Sequence, residues 1–229
     1  MKTILTLKYG SKYTCDDVNR IYDQTNGIYN YVCLTDDPTG LYPQIETRPI
    51  DEEYGIWNKV TMLKHTDLGH VLYLDLDIVI QKGLDIFFET SYNNTICYTH
   101  WKDKNFPTDR VHNTDPKLSY LGNYNSSVLS WVENSAKYIS DKFLKQEDYY
   151  MTKYAGGDDR FYWHETDMNI FPKGLVYSFV YGAEHGIDND SFKYRPDYSI
   201  ALLNGQEQFP KAGQQYYDAL SLHEMGKQI

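Results

Sequence analysis

Asp75 and Asp77 stand two residues apart in the run Val71-Leu72-Tyr73-Leu74-Asp75-Leu76-Asp77-Ile78-Val79-Ile80, which is otherwise apolar. A run of that kind predicts a buried strand. Alternate residues of a strand share a face, so the two carboxylates are expected to point the same way. Charge in a buried strand is costly unless it is paired or coordinates a metal. Two aligned carboxylates are hard oxygen ligands suited to Mg²⁺ or Mn²⁺, and such a cation commonly also holds a phosphate. The run therefore reads as a metal–phosphate site at the end of a buried strand, against the plainer alternative of an aspartate pair hydrogen-bonded to turns.

At 229 residues the chain has room for a sizeable core and fits one domain. The net charge of −10 argues against non-specific nucleic-acid binding, which is driven by counterion release from basic surfaces. A nucleotide held through a metal stays compatible with it. Cys15, Cys33 and Cys97 form no zinc-like spacing and read as free thiols of a reducing compartment. The start, Met1-Lys2-Thr3-Ile4-Leu5-Thr6-Leu7, is too short for a secretory core, and no apolar stretch is long enough to span a bilayer. A cytoplasmic protein is the expectation, in the host cytoplasm if the source is viral. The three matches to the glycosylation sequon, at Asn93, Asn125 and Asn189, are then chance.

Strands and helices alternate along the first half. Thr3 to Leu7 and Tyr29 to Leu34 read as strands, and Gln44 to Arg48 as a short third. Between the first two, Cys15 to Gln24 reads as a helix capped by Thr14 and stopped by Asn26-Gly27. Ile56 to Lys64 is expected to be helical, ahead of the Asp75–Asp77 strand. Further on, Ile96 to Trp101, Tyr124 to Trp131, Leu175 to Tyr181 and Ile200 to Leu203 have strand character. Helices are expected at Ile139 to Tyr150, Arg160 to Trp163 and Ala219 to Lys227, and Phe106 to Leu118 reads as a polar lid-like loop. The alternation implies an α/β fold with a parallel sheet flanked by helices. Ligands of such sheets bind beyond the carboxyl ends of the strands. Lys8-Tyr9-Gly10, Thr35-Asp36 and Asp75 to Asp77 all fall at those ends.

Taken in order, several segments carry a family likeness. They are Tyr31 to Asp36, Trp57-Asn58-Lys59, Leu72 to Asp77, Asn125-Ser126-Ser127-Val128-Leu129, Gly156-Gly157-Asp158-Asp159, Val176 to Phe179 and Ile200 to Gly205. The set resembles the GT-A glycosyltransferases, in particular compact bacterial and viral members distantly related to the glycogenin-type galactosyltransferases. The resemblance implies a single GT-A, Rossmann-like domain over residues 1–229, with a mostly parallel central sheet. It implies a metal-dependent, hexosyltransferase-like activity using Mn²⁺ or Mg²⁺. The donor would be a nucleoside-diphosphate sugar, UDP-linked by default and GDP-linked as the other option; the acceptor, a glycan or another molecule, is left open. Retention of anomeric configuration without a covalent nucleophile is the favoured course.

The same resemblance distributes roles. Asp77 would bind the metal directly, and Asp75 the metal, the ribose or both. Lys8, Tyr9 and Gly10 would line the nucleotide mouth, where glycine allows close backbone approach and Tyr9 offers a stacking face. Thr35 and Asp36 would touch base or ribose, and Lys59 the donor sugar or phosphate. Asp158, Asn125 and Asp159 form the candidate catalytic set, with Asp159 in the place of the family's glutamine and equally able to cap a helix. The pattern departs from the family twice: Asn204 stands where the third metal ligand is histidine, and Val180 stands where a lysine is usual. Lys211 would then supply a cation near the diphosphate, and His223 is a reserve ligand. Each assignment has a plainer alternative, an ordinary turn, cap or solvated side chain. Two other functions compete: a haloacid-dehalogenase-type phosphohydrolase with Asp75 as nucleophile, and a catalytically weakened nucleotide-sugar-binding protein.

Overall fold

The computed structural model describes residues 1–102, 122–184, 190–204 and 211–226. The lid-like loop expected at Phe106 to Leu118 lies outside them. The chain opens with β1 (Lys2–Lys8), α1 (Cys15–Gln24), β2 (Asn30–Thr35) and β3 (Glu46–Pro49). The start of α1 is fixed as expected: the Asp17 carboxylate accepts from Thr14 N at 2.9 Å and from Thr14 Oγ1 at 3.1 Å, a reciprocal cap. Its end is fixed by Asn26 and Gly27, both in the left-handed region. After β3 come a 3₁₀ turn (Glu52–Trp57), a short α2 (Asn58–Thr61) and a second 3₁₀ turn (Met62–Lys64). The single helix expected over Ile56 to Lys64 is thus a chain of tighter turns. Gly55, at φ 48°, breaks the helical path, and Asn58 Nδ2 caps the carbonyls of Asp51 and Gly55 at 2.8 and 3.0 Å.

Next follow β4 (His70–Leu74), β5 (Ile78–Ile80), β6 (Thr95–Tyr98) and β7 (Tyr124–Val132). Then come α3 (Lys137–Leu144), α4 (Glu147–Lys153), α5 (Asp158–Glu165), β8 (Asn169–Ile170), β9 (Val176–Ser178), β10 (Ile200–Leu202) and α6 (Ala212–Glu224). The helix expected over Ile139 to Tyr150 is two helices. Gln146 leaves the helical region, and Glu147 and Asp148 open α4, where the helix dipole favours negative charge.

The main sheet has the strand order β3-β2-β1-β4-β7-β6-β8 and is mostly parallel. Only β7 runs antiparallel to its neighbours β4 and β6. A small sheet, β5-β10-β9, stands beside it. The run Val71 to Ile80 therefore does not form one strand. It crosses from the large sheet to the small one, and Asp75-Leu76-Asp77 is the bend between them. The expected geometry of two aspartates on one strand face is corrected accordingly.

Alternation along the strands sends side chains to two cores. Leu5, Leu7, Val32, Leu34, Val71, Tyr73 and Trp131 face the side of the sheet packed by α2 to α5. Ile4, Tyr31, Cys33, Leu72, Leu74 and Val128 face α1 and run on through Leu76 and Ile78 into the small sheet. A third cluster, including Val79, Tyr177, Ala201, Leu203 and Tyr216, holds α6 against that sheet. The cysteines are free, as expected. Among the described residues no helix is long and apolar enough to cross a membrane.

Candidate active site

The bend begins where β4 runs out. Asp75 N donates to Ser127 O of β7 at 2.9 Å, which ties the turn to the sheet. Both oxygens of the Asp75 carboxylate are taken. Lys59 Nζ donates to Oδ2 at 2.7 Å, and the Tyr73 hydroxyl donates to Oδ1 at 2.6 Å. Tyr73 reaches it from β4, two residues before the bend residue Asp75. Asp77 is anchored by its backbone, Leu203 N donating to Asp77 O at 2.7 Å, and Tyr13 lines the cleft with it. Burial first, and then the negative charge of Asp75, push the Asp77 carboxyl above its ordinary range; Lys59 and Lys12 pull against that.

Lys59 is the positive centre of the site. Burial alone would lower its pKa, but Asp75, Asp158 and Asp159 together raise it above the ordinary lysine value. Asp158, the first residue of α5, follows Gly157, whose φ of 120° turns the chain into the helix. Burial pushes the Asp158 carboxyl up to about 7, against the attraction of Lys59 and with added repulsion from Asp159. Its Oδ2 is buried and has no hydrogen-bond partner among the described residues. Asp159 turns to β7 instead, accepting from Ser126 N at 2.7 Å. Asn125 folds over its own strand, Oδ1 accepting from Ser127 N at 3.2 Å.

Along the carboxyl edge of β1 and β2 the chain is stitched to itself. Asp36 Oδ2 accepts from Gly10 N at 2.7 Å, Lys8 Nζ donates to Asp37 O at 3.0 Å, and Lys8 lies 3.8 Å from Asp36. The Thr35 hydroxyl donates to Asp37 O at 3.0 Å. Between this edge and the bend lies a cleft of about 130 Å³, lined by Leu7, Tyr9, Lys12, Tyr13, Lys59, Tyr73, Asp75 and Asp77, among others.

No family model and no curated protein matches the chain. Solved structures do. A galactosyltransferase, LgtC, in complex with donor and acceptor sugar analogues aligns at 11% identity and a TM-score of 0.56 over 93% of this chain and 95% of that one. An active-site mutant of LgtC aligns over the same shares with a TM-score of 0.57. The chain has the GT-A fold. At 11% identity the likeness concerns the fold, and what this GT-A chain does is argued from its own residues.

The fold brings Tyr9, Lys59, Asp75 and Asp77 to one cleft. Asp158 and Asp159 act electrostatically on Lys59 from behind it. Asn204 follows Leu203, whose amide holds Asp77, so it stands beside the bend; its Oδ1 accepts from Ser178 Oγ at 2.7 Å. Lys8, Thr35 and Asp36 spend their polar atoms on one another and on the Asp37 and Gly10 backbone. Lys211 is exposed at the start of α6 and does not line the cleft. His223 lies against Tyr194, its ring centroid 5.1 Å from the tyrosine's.

The sequence reading gives Tyr73, Tyr13, Lys12 and Ser126 no role in the site. Tyr73 was open to detection, since it precedes Asp75 by two residues in a strand. Tyr13 sits in a loop whose pattern carries no signal. Replacing Tyr73 with Phe is expected to strand Asp75 Oδ1 and cost about 1.5–3 kcal/mol in urea unfolding, the range for a hydrogen bond to a charged group. A change below half a kcal/mol would show that Oδ1 is solvated instead.

A hard divalent cation suits part of this donor set. Asp77 is a buried carboxylate destabilised by a second carboxylate, which an added cation relieves. Asp75 is already matched by Lys59 and Tyr73, and among the described residues no three His, Cys, Asp or Glu side chains converge. The set fits one oxygen-bound cation centred on Asp77. The full engagement of Asp75 also argues against its use as a phosphatase nucleophile, which needs a free oxygen.

Proposed function

We propose that this protein is a glycosyltransferase, working as one domain, that moves a sugar from a nucleoside-diphosphate sugar to an acceptor hydroxyl. UDP is the favoured nucleotide and GDP the alternative. The observation that supports this most directly is the bend Asp75–Asp77 at the carboxyl edge of a GT-A sheet, lining a cleft together with the largely buried Lys59. A divalent cation held by Asp77, with oxygens of Asp75 and Asn204 beside it, would supply positive charge for the leaving diphosphate. Manganese and magnesium both suit those donors.

In the reaction the bond from the anomeric carbon to the diphosphate oxygen breaks, and that oxygen keeps the electron pair. The acceptor oxygen bonds the anomeric carbon and its proton passes to the leaving phosphate. Retention is the favoured outcome. The chain's residues prepare the ground for this. Lys59 holds Asp75 in place and adds positive potential where negative charge develops. Tyr9 lines the cleft, and with the neighbouring Gly10 would receive the base. Asp158, whose carboxyl stands at about 7 with an unpartnered oxygen, would take a sugar hydroxyl; Asn125 is the second candidate. A protein that binds nucleotide without turnover is the second reading, favoured by the neutral Asn204 and its bond to Ser178.

The test is a thermal-shift screen of UDP, GDP, CDP and dTDP with Mn²⁺, Mg²⁺ or EDTA. A ligand at 100 times its Kd adds about 2.7 kcal/mol. One nucleotide should stabilise the protein with metal and fail with EDTA, and Asp77→Ala should remove the effect. No stabilisation by any nucleotide with metal present would reject the transferase reading. Stabilisation without sugar transfer or donor hydrolysis would favour the binding protein.

A further inference from the structure

The short strand β5 has peptide groups facing two ways. Residues 77, 79 and 81 turn theirs toward β10: Leu203 N donates to Asp77 O at 2.7 Å and Gln81 N to Ser199 O at 2.8 Å. Residues 76, 78 and 80 turn theirs to the opposite edge, where the small sheet has no further strand among the described residues. An open edge leaves backbone groups in need of partners. Here α1 supplies them with side chains. Arg20 Nη2 donates to Leu76 O at 2.6 Å, and Nη1 donates to Ile78 O at 2.8 Å. One turn further along the helix, Gln24 Oε1 accepts from Ile80 N at 3.1 Å. Positions four apart share a helix face, so Arg20 and Gln24 together stand in for the missing strand.

The two carbonyls that Arg20 holds bracket Asp77. The residue just before the α1 cap, Tyr13, lines the same cleft as Asp77. The α1 segment therefore meets the bend twice, at its backbone through Arg20 and in the cleft through Tyr13. We propose that Arg20 is a positioning residue, whose forked grip on Leu76 O and Ile78 O sets the direction in which Asp77 enters the cleft. The fork is the relevant property: a guanidinium places two N–H groups at a fixed spacing, and an ammonium cannot. The proposal rests on the nucleotide-sugar reading only for the identity of the ligand, and not for the geometry of the bend.

Two measurements on Arg20→Gln and Arg20→Lys test it. The first is calorimetric titration of the folded proteins with UDP and with GDP in Mn²⁺. Loss of a residue that orients a metal ligand typically weakens binding by about 10–100-fold. Arg20→Gln should show that loss, and Arg20→Lys should fall between it and the parent. Equal Kd values in all three proteins would overturn the proposal. The second is hydrogen exchange without ligand. In Arg20→Gln the amides of Ile80 and Leu203 should lose protection while those of β1 and β2 keep theirs. Unchanged protection at the bend, or uniform loss across both sheets, would also overturn it. If the parent protein binds neither nucleotide, the transferase reading fails, and the exchange data still decide the role of Arg20.

Discussion

Lys59→Met is expected to destabilise the folded protein by about 3–5 kcal/mol at pH 8, the range for removing one partner of a buried ion pair. For a chain of this size that is a fall in Tm of about 6–20 °C. Methionine keeps most of the volume of the lysine stem, so packing is largely preserved and the loss is electrostatic. What remains is a set of carboxylates stripped of the cation they share: Asp75, whose 2.7 Å partner is gone, and Asp158 and Asp159, whose charges Lys59 offsets. Two features separate this account from simple loss of a side chain. Acidification should recover part of the stability, because a protonated Asp158 needs no counter-charge. The double variant Lys59→Met/Asp158→Asn should be more stable than Lys59→Met alone, since the second change deletes one of the orphaned charges. A loss under 1 kcal/mol, flat with pH, would mean that water already screens the cluster. Nucleotide binding should fall as well, with UDP and Mn²⁺ as the probe.

The parts of this site that are legible in the sequence share a property: they depend on local pattern. β1 and β2 read as strands because apolar residues run into a turn. Their register, Lys8 beside Thr35, then puts Lys8, Gly10 and Asp36 together without further information. The Asp75–Asp77 pair announces itself because charge is improbable in an apolar run. Its geometry is another matter. No glycine or proline marks a break between Leu74 and Ile78. The chain turns there because partners far away in sequence demand it: Ser127 O takes Asp75 N, Leu203 N takes Asp77 O, and Arg20 takes the carbonyls on either side. Those are tertiary causes, invisible to periodicity. The same holds for Tyr13, a loop residue brought to the cleft only by where α1 docks. The departure at Asn204 was readable as a substitution. Its consequence, a carboxamide occupied by Ser178, required β9 and β10 to be placed side by side.

Asp158→Asn should give a protein more stable than its parent at neutral and alkaline pH. The Asp158 carboxyl stands at about 7 because burial penalises its charged form more than Lys59 rewards it. In the unfolded chain the same group has an ordinary pKa of about 3.9. Below about pH 4 both states carry the proton, and parent and variant should match. Between there and pH 7 the folded protein holds a proton that the unfolded chain has released. Rising pH then favours unfolding by about 1.4 kcal/mol for each unit. Above pH 7 both states are ionised and the penalty stays at its full value, on the order of 4 kcal/mol. Asparagine never ionises and escapes it. Urea unfolding of both proteins at pH 4, 6 and 8 should therefore show a gap that opens with pH, to about 2–4 kcal/mol in favour of the variant. A variant less stable than the parent at pH 8 would show that the ionised Asp158 is a net asset to the fold and would remove the basis for its raised pKa. Function should move the opposite way. A buried carboxyl with an unpartnered oxygen is a cost the fold carries only if something in the bound state uses it. Transfer by Asp158→Asn should fall by about a hundred-fold or more if the charged form takes part in the reaction, the scale of a lost electrostatic contact to the transition state. Stability gained and turnover lost through one atom change would separate a working site from a buried structural pair, which would lose stability and keep turnover.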